Sequence, residues 1–238
     1  MEPDVIIVGA GPTGLMLAAE LRLAGVRTLV LERRPQLRET PRANGFGGRI
    51  TELLRYRGML DRVLAASIGP IHTAPVLPFG EVQLDLSGLS DPPLWAVHLP
   101  QPQLERVLAE YATELGAEIR RGHELSGVSQ DDAAVTADVR SPDSSYRVTA
   151  AYLVGCDGSC SAVRDLAGIA FPGTSYPQVN RLCQATLSRP AMLLDDGDLD
   201  VPGLGTVHPG FTRSERGVFA FGQMSTGALM LQTTEDED

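Results

Sequence analysis

The sequence predicts an α/β fold in which a parallel sheet and an antiparallel meander form the first domain, beside a second domain that is mainly β. Three observations support this prediction. The chain opens with a strand, helix and strand joined by a glycine-rich turn, and residues 124–150 contain three runs of strand-like alternation. After residue 172 the chain changes to short strand-like runs between glycine and proline turns, which indicates a partial sheet.

The first elements form a βαβ unit. Residues 4–9 are apolar and β-branched, which is typical of a strand that is buried on both faces. In residues 14–24 apolar side chains recur on one helical face, and Gly25 is expected to end that helix. Residues 27–32 repeat the buried-strand pattern. The two strands are therefore expected to be parallel, with a right-handed connection.

The middle of the chain is expected to leave the first domain and to return to it. Residues 33–48 combine prolines, glycines and several arginines, which indicates an ordered loop that holds a ligand. Helical patterning resumes at about Arg49, and residues 67–100 contain short strand-like runs. Residues 101–115 carry apolar side chains at helical spacing and are expected to bring the chain back to the first domain.

Three β-patterned runs near residues 124–129, 134–140 and 146–150 are separated by polar turns, and they predict a small antiparallel meander. Residues 152–155 form another buried-type strand. This strand leads into an Asp-Gly turn and a helix that we expect to continue to Gly168.

These patterns predict two interleaved domains, because the 238 residues are enough to bury a full core. We assign residues 1–68 and 99–174 to the first domain. The second domain, an incomplete sheet, is assigned to residues 69–98 and 175–238.

The composition excludes several classes of function. A net charge of -10 argues against nucleic acid as a partner, since phosphate neutralisation requires a basic surface. All 20 basic residues are arginine, so a Schiff-base lysine is absent. The three cysteines form no CxxC pair and the four histidines have no metal-binding spacing, so we predict no metal site and a reducing cytoplasm. The uncharged run 5–19 is too short to span a membrane.

A GxGxxG motif lies between the first predicted strand and helix, and it comprises Gly9, Ala10, Gly11, Pro12, Thr13 and Gly14. Gly9 permits a tight turn, Gly11 lets the backbone approach a pyrophosphate, and Gly14 lets helix and strand pack closely. Glu32 follows Gly14 by 18 residues, where a carboxylate accepts hydrogen bonds from ribose hydroxyls. This combination predicts dinucleotide binding, and the alternative is a glycine-rich structural turn.

Motifs that follow further along the chain identify a family: the sequence resembles the FAD-dependent aromatic hydroxylases typified by p-hydroxybenzoate hydroxylase. Within that family it is most similar to actinobacterial polyketide hydroxylases and rifampicin monooxygenase. The segment 41–46 is similar to the family's arginine-bearing loop over the flavin pyrophosphate, which assigns Arg42 to the cofactor. Pro100-Gln101 resembles a pair whose glutamine bonds the ribityl or phosphate region. The resemblance also implies that Leu125 contacts the adenine through its backbone.

A second family motif begins at Asp157-Gly158, which resembles the fingerprint for FAD and NAD(P)H. Asp157 follows a buried-type strand and opens a helix, and Arg164 stands at the family's offset. A lone Asp-Gly pair is otherwise an ordinary turn. Cys160 replaces an arginine that is common in the family, which puts the affinity for pyridine nucleotide in doubt. We also expect Arg33, the residue after Glu32, to bind the cofactor.

The resemblance implies a Rossmann-like FAD-binding domain with a substrate-binding sheet, and an enzyme of antibiotic biosynthesis. Such an enzyme takes a hydride from NAD(P)H onto FAD, and the flavin hydroperoxide formed with O2 hydroxylates an aromatic or polyketide-type small molecule. The sequence assigns no catalytic side chain. Two alternatives stay open: a non-catalytic fragment or accessory chain that retains the nucleotide-binding half, and a flavin reductase-type oxidoreductase of the same fold.

The family's third motif, a Gly-Asp pair at the start of a long helix, has no match in this sequence. The chain is therefore expected to be incomplete at its C-terminal side. A partner chain or self-association is then expected to cover the unfinished sheet, because exposed sheet edges favour aggregation.

Overall fold

The protein is described from a computed structural model of the chain. The structure describes residues 2–39, 41–69, 72–73, 76–79, 82–86, 88–89, 95–187, 192–194, 197–203, 205–214, 217–223 and 228–236. The chain divides into two compact units, which we call unit 1 (residues 1–170) and unit 2 (residues 171–238). The predicted segment 69–98 and the acidic end of the chain lie partly outside the described residues. The assignment of residues 69–98 to a second domain stays a prediction.

Unit 1 alternates strands and helices along the chain. Its elements are β1 (Val5–Val8), α1 (Pro12–Leu23), β2 (Thr28–Glu32), β3 (Phe46–Gly47), α2 (Arg49–Tyr56), α3 (Leu60–Ala66), β4 (His72–Thr73), β5 (Val76–Phe79), β6 (Val82–Asp85), β7 (Trp95–Val97), α4 (Gln101–Glu114), β8 (Glu118–Arg121), β9 (Glu124–Gln130), β10 (Val135–Arg140), β11 (Ser145–Ala150), β12 (Tyr152–Gly155) and α5 (Ala162–Leu166).

The central sheet of unit 1 is parallel and has the strand order β12-β1-β2-β8. Val8 at the end of β1 pairs with Leu31 on one side and with Gly155 on the other. The carboxyl ends of these strands therefore meet at one edge of the sheet, which is where ligands bind in open α/β sheets. The predicted βαβ unit and parallel sheet are confirmed.

Two apolar cores cover the two faces of this sheet. Because side chains alternate along a strand, Ile7 and Val30 face a core that includes α1, α3 and α4. Ile6 and Leu29 face the opposite core, which the strands β9, β10 and β11 complete. These three strands form the predicted antiparallel meander in the order β11-β10-β9. The sheet thus lies between helices and the meander, and both of its faces are buried.

The helix α1 begins at Pro12, two residues before the predicted range 14–24, and ends at Leu23, one residue before the end of that range. Pro12 occupies the first turn, where its missing N–H costs no hydrogen bond, and Gly25 after the helix adopts a positive φ of 80°. The helix α5 differs from its prediction, because it ends at Leu166 and Gly168 already adopts a φ of 66° outside it. A left-handed glycine after a last turn is a common helix stop.

Unit 2 is antiparallel. Its strands are β13 (Gln178–Ala185), β14 (Leu199–Val201), β15 (Gly205–Val207), β16 (Gly210–Ser214), β17 (Gly217–Gln223) and β18 (Leu229–Asp236). Four of them form a sheet in the order β13-β18-β17-β16, and β14 pairs with β15. A small apolar cluster contains Leu199, Val207, Phe221 and Leu229. The mainly β character predicted for this part of the chain is confirmed.

Candidate functional site

A groove of about 260 Å³ lies in unit 1 at the carboxyl edge of the parallel sheet. Eleven of the thirteen residues that the sequence assigns to a cofactor line it, and Gly14 and Arg164 do not. The eleven are Gly9, Gly11, Pro12, Thr13, Glu32, Arg33, Arg42, Gln101, Leu125, Asp157 and Gly158. The fold therefore brings together residues that are up to 149 positions apart in the sequence.

The three glycines of the first motif have different reasons to be glycine. Gly9 has a φ of 107°, and a Cβ there would lie 2.4 Å from the carbonyl oxygen of Cys156. A Cβ on Gly14 would lie 2.0 Å from the carbonyl oxygen of Gly9, so this residue allows helix α1 to pack against the turn. Gly11 has an ordinary φ of -80°, and its Cβ would meet no atom within 4 Å. Protein packing does not require glycine at position 11, but close approach of a ligand does.

The amino end of α1 opens on the same groove. In the part of the chain that the structure describes, no side chain caps this helix, whose N-cap residue is Gly11. The N–H groups of the first turn have no partners within a helix, and together with the helix dipole they favour an anion. The open position beside Gly11 therefore suits a phosphate group.

Glu32 is held in place by two backbone amides. Its Oε2 accepts a hydrogen bond of 2.9 Å from the N–H of Ala10, and its Oε1 accepts one of 2.9 Å from the N–H of Arg34. A carboxylate has about four acceptor positions, so these bonds orient the group and leave further positions. The oriented carboxylate can accept hydrogen bonds from ribose hydroxyls at the groove.

Five arginines line the groove: Arg33, Arg34, Arg38, Arg42 and Arg121. Partial burial lowers the pKa of Arg38, and the neighbouring positive charges of Arg42 and Arg34 lower it further. Such crowding of like charges is relieved when an anion binds among them. Arg34 and Arg38 were not singled out individually from the sequence. The only available signal was the density of arginines in the loop after Glu32.

Gln101 links the arginine loop to α4. Its backbone N–H donates to the carbonyl oxygen of Ala43 at 2.9 Å, next to Arg42. Its side-chain Nε2 donates to Oε1 of Glu105 at 2.7 Å, one helical turn further on. Glu105 lines the groove and is only 7% exposed. The sequence analysis missed Glu105, although its spacing of four residues from Gln101 places both side chains on one helix face.

The Asp157 turn is ordered by its own hydrogen bonds. Asp157 Oδ1 accepts from the Ser161 hydroxyl at 2.6 Å, and Oδ2 accepts from the N–H of Val163 at 3.1 Å. Ser161 in turn caps α5 by accepting from the N–H of Arg164. The Arg164 guanidinium donates to the Ser159 carbonyl oxygen and to Asp165. Arg164 thus braces the turn from outside the groove, and direct contact with a cofactor stays a prediction for it.

The other end of the groove contains Leu125 and His123. Leu125 is buried in the core beneath the meander, which leaves its backbone as the part to meet a ligand. The backbone N–H of His123 donates to the carbonyl oxygen of Glu32 at 3.0 Å, and its Nδ1 lies 2.8 Å from the Tyr146 hydroxyl. The spacing of the four histidines predicts no metal site and assigns no role to His123. The structure adds it to the groove.

Cys156 lies in the lining and is half-buried. Burial raises the pKa of its thiol, and the adjacent Asp157 carboxylate raises it further. At neutral pH the group is therefore a protonated thiol and a weak nucleophile.

Metal-binding clusters and membrane-spanning helices are both absent from the described residues. No group of three or more His, Cys, Asp and Glu side chains is arranged to hold a metal ion there. None of the helices in those ranges has the length and apolar character that crossing a bilayer requires.

Comparison with known proteins gave consistent matches. A family model described as "FAD binding domain" matches residues 2–194. The chain is 47% identical over 178 residues to the 12-dehydrotetracycline 5-monooxygenase/anhydrotetracycline 6-monooxygenase of Streptomyces rimosus, covering 73% of this chain and 34% of the relative. It is 46% identical over 172 residues to a rifampicin monooxygenase of Streptomyces venezuelae, covering 71% and 35%.

Among solved structures, the anhydrotetracycline hydroxylase OxyS from Streptomyces rimosus matches with a TM-score of 0.81 and 36% identity. The match covers 99% of this chain and 45% of the OxyS chain. The chain thus spans about a third of the length of the two curated relatives and less than half of this solved structure. These matches confirm the resemblance inferred from the two glycine-containing motifs.

Proposed function

The chain belongs to the family of FAD-binding domains whose model matches its residues 2–194, and from this membership we propose that its groove binds FAD as part of a monooxygenase. The reaction we propose is NAD(P)H-dependent hydroxylation of an aromatic or polyketide-type small molecule by O2. Relatives named for acting on anhydrotetracycline and rifampicin support this substrate class. The activity of the whole protein is a proposal, because this chain spans only part of those relatives.

The observation that carries the proposal is the open space beside Gly11. Neither backbone conformation nor protein packing requires glycine there, whereas both require it at Gly9 and packing requires it at Gly14. The space is bordered by the uncapped end of α1 and by a groove that five arginines line. This set of donors and cations fits the pyrophosphate of a dinucleotide.

We assign each part of the cofactor to groups of this chain. The first turn of α1, Arg33 and Arg42 would hold the pyrophosphate, and Glu32 would accept hydrogen bonds from the adenosine ribose. The backbone of Leu125 would contact the adenine, while Gln101 and Asp157 would bind on the flavin side. When bound, FAD supplies the oxidation and reduction chemistry. The protein's part is to bind it, to orient it and to keep the anionic and hydroxyl-bearing portions in separate places.

For unit 2 we propose that a further polypeptide, either a partner chain or a second copy, covers its sheet. Leu182 and Phe211 support this, because these large apolar side chains are 61% and 58% exposed. The strands that carry them, β13 and β16, are the two edges of that sheet. A molar-mass measurement by light scattering tests self-association directly. For the site of action we propose the cytoplasm, which the unpaired cysteines support.

The test of FAD binding is an absorbance spectrum of the full chain after incubation with FAD and desalting. We expect a retained flavin band, and a Glu32→Gln variant should bind FAD about 10-fold to 100-fold more weakly, since a charged acceptor is lost. Glu20→Gln is the matched control, because Glu20 pairs with Arg57 outside the groove. A wild-type chain that retains no flavin, or equal affinities in both variants, would contradict the proposal.

Oxygen uptake with NADH or NADPH then separates three candidate functions. Turnover supports the monooxygenase, and addition of anhydrotetracycline tests the substrate class. Retained FAD without NAD(P)H oxidation favours the second candidate, an accessory chain that keeps the nucleotide-binding half. NAD(P)H oxidation without product hydroxylation would instead indicate a flavin reductase-type enzyme.

A further inference from the structure

Glu105 is a buried carboxylate that the proposed cofactor contacts do not use. It is 7% exposed, and it lies on α4 among groove residues that include Arg38 and Arg42. Burying a carboxylate is costly unless it gains partners. Its Oε1 accepts a hydrogen bond of 2.7 Å from a neutral amide, the Nε2 of Gln101. Its negative charge also acts favourably on the Arg38 cation.

The hydrogen bond to Glu105 determines which way the Gln101 amide faces. A carboxylate only accepts hydrogen bonds, so the NH2 group of Gln101 must face Glu105. The carbonyl oxygen of the same planar amide is then on the other side and acts as an acceptor. The start of α4 is fixed as well, because the Gln101 backbone N–H donates to Ala43. Gln101 therefore offers the groove an acceptor in a defined position.

This acceptor pair differs from the rest of the groove. Oxygens of Gln101 and Glu105 attract hydrogen-bond donors, whereas the arginines and the end of α1 attract anions. A phosphate next to Glu105 would face a negative charge in a partly buried place, which raises the cost of binding it there. A hydroxyl group meets no such cost and can donate to the carbonyl oxygen of Gln101.

We infer that Glu105 is a positioning residue that orients Gln101 as a hydrogen-bond acceptor for the ribityl hydroxyls of FAD and keeps phosphate away from that position. The inference rests on the proposed function, since it takes FAD as the ligand. It resolves the two sequence-based options for Gln101, the ribityl chain or the phosphates, in favour of the ribityl chain. ADP shares the adenosine and two phosphates with FAD but has no ribityl chain, so it separates the two parts of the groove.

The experiment compares FAD and ADP affinities of the full chain by titration calorimetry. Glu105→Leu should weaken FAD binding roughly tenfold and leave ADP binding within about twofold, since one hydrogen-bonded contact is lost on the ribityl side only. Glu105→Gln should stay within about threefold of wild type for FAD, because its amide oxygen still accepts from Gln101. Glu110→Leu, at an exposed position of α4 outside the groove lining, is the matched control.

A double-mutant cycle tests that Glu105 acts through Gln101. In a Gln101→Leu background, which should itself show the FAD-specific loss, Glu105→Leu should cause no further change. If Glu105→Leu fails to fold, the Gln101→Leu variant carries the same FAD-against-ADP comparison. Equal losses for FAD and ADP, unchanged FAD affinity, or additive losses in the cycle would overturn the inference. A wild-type chain that binds neither ligand would instead overturn the proposed function.

Discussion

Unit 1 and unit 2 differ in how completely they bury their sheets. In unit 1 the strand β1 is buried at every position, because helices cover one face of the sheet and the meander covers the other. In unit 2 the strand β13 is exposed at most positions, and the apolar cluster of that unit has four buried members among the described residues. The groove is built wholly from unit 1. The groove proposed to bind FAD therefore rests on cores formed within unit 1, whereas the sheet of unit 2 leaves most of β13 exposed.

The largest expected effects come from two substitutions that each add one methyl group and disrupt the packing of one unit. Gly14→Ala places a Cβ 2.0 Å from the Gly9 carbonyl oxygen, and we expect it to destabilise unit 1 by about 3 kcal/mol or more and to abolish FAD binding. Gly217→Ala places a Cβ 1.9 Å from the Thr234 carbonyl oxygen at a φ of 133°, so it should disrupt β17 and β18. Thermal unfolding and FAD titration check both variants.

In this pair the decisive result is the FAD affinity of Gly217→Ala. If unit 1 holds the cofactor independently, its affinity stays at the wild-type value although unit 2 is damaged. Loss of FAD binding in Gly217→Ala would show that the groove depends on unit 2.

A smaller change tests the groove without breaking the fold. Gly11→Ala adds a Cβ in open space, so the free energy of unfolding should change by less than about 1 kcal/mol. FAD affinity should fall roughly tenfold, since the added carbon keeps the pyrophosphate away from the backbone. Gly222→Ala in β17 is the matched control, because its Cβ also meets no atom within 4 Å. Similar FAD affinities for the two variants would contradict the proposal that the pyrophosphate of FAD approaches the backbone at Gly11.

Cysteine reactivity sharpens the comparison further. Cys160 in unit 1 and Cys183 in unit 2 are exposed, whereas Cys156 is half-buried with a raised thiol pKa. Alkylation of Cys156 should be at least about tenfold slower than that of the other two at pH 8. FAD should protect Cys160, which lines the groove, and leave Cys183 unchanged. Peptide mass spectrometry measures all three alkylation rates. Protection of Cys183 by FAD would contradict the claim that FAD binds to unit 1 alone.

The smallest expected effect is a pH dependence at the edge of unit 1. Asp4 bonds the Arg27 guanidinium and backbone N–H, which lowers the pKa of Asp4 from 3.8 to about 2. A lowered carboxyl pKa stabilises the folded state above pH 3.8, and this contribution is lost as the pH falls toward 2. Asp4→Asn should therefore lower the Tm slightly at pH 7, and the difference should vanish near pH 2. A difference that persists at pH 2 would rule out this cause.

The sequence predicts those parts of the fold that depend on local pattern. Strand alternation, helix period and the glycine turn gave β1, α1, β2 and the meander within a few residues, because each signal lies inside one element. The strand order β12-β1-β2-β8 depends on pairing between distant segments, so no local pattern contains it. The sequence therefore predicts a parallel sheet but not the order of its strands.

The site was predictable where a motif carries it and not where side chains meet across the fold. Eleven assigned residues line the groove, whereas Arg164 faces Ser159 and Asp165 outside it. Arg38, Glu105 and His123 belong to no motif that the sequence displays. Each of them reaches the groove because segments that are distant in the sequence pack together. Their burial and their charged neighbours therefore depend on the folded structure and not on a local sequence pattern.

The most direct test of the central claim is hydrogen exchange of the full chain with and without FAD. We expect added protection in the groove segments of unit 1, around residues 9–14, 31–38, 101–105 and 156–162, with exchange in residues 171–238 unchanged. Protection that is absent from these segments, or that falls mainly in unit 2, would contradict the claim that unit 1 alone builds the FAD site.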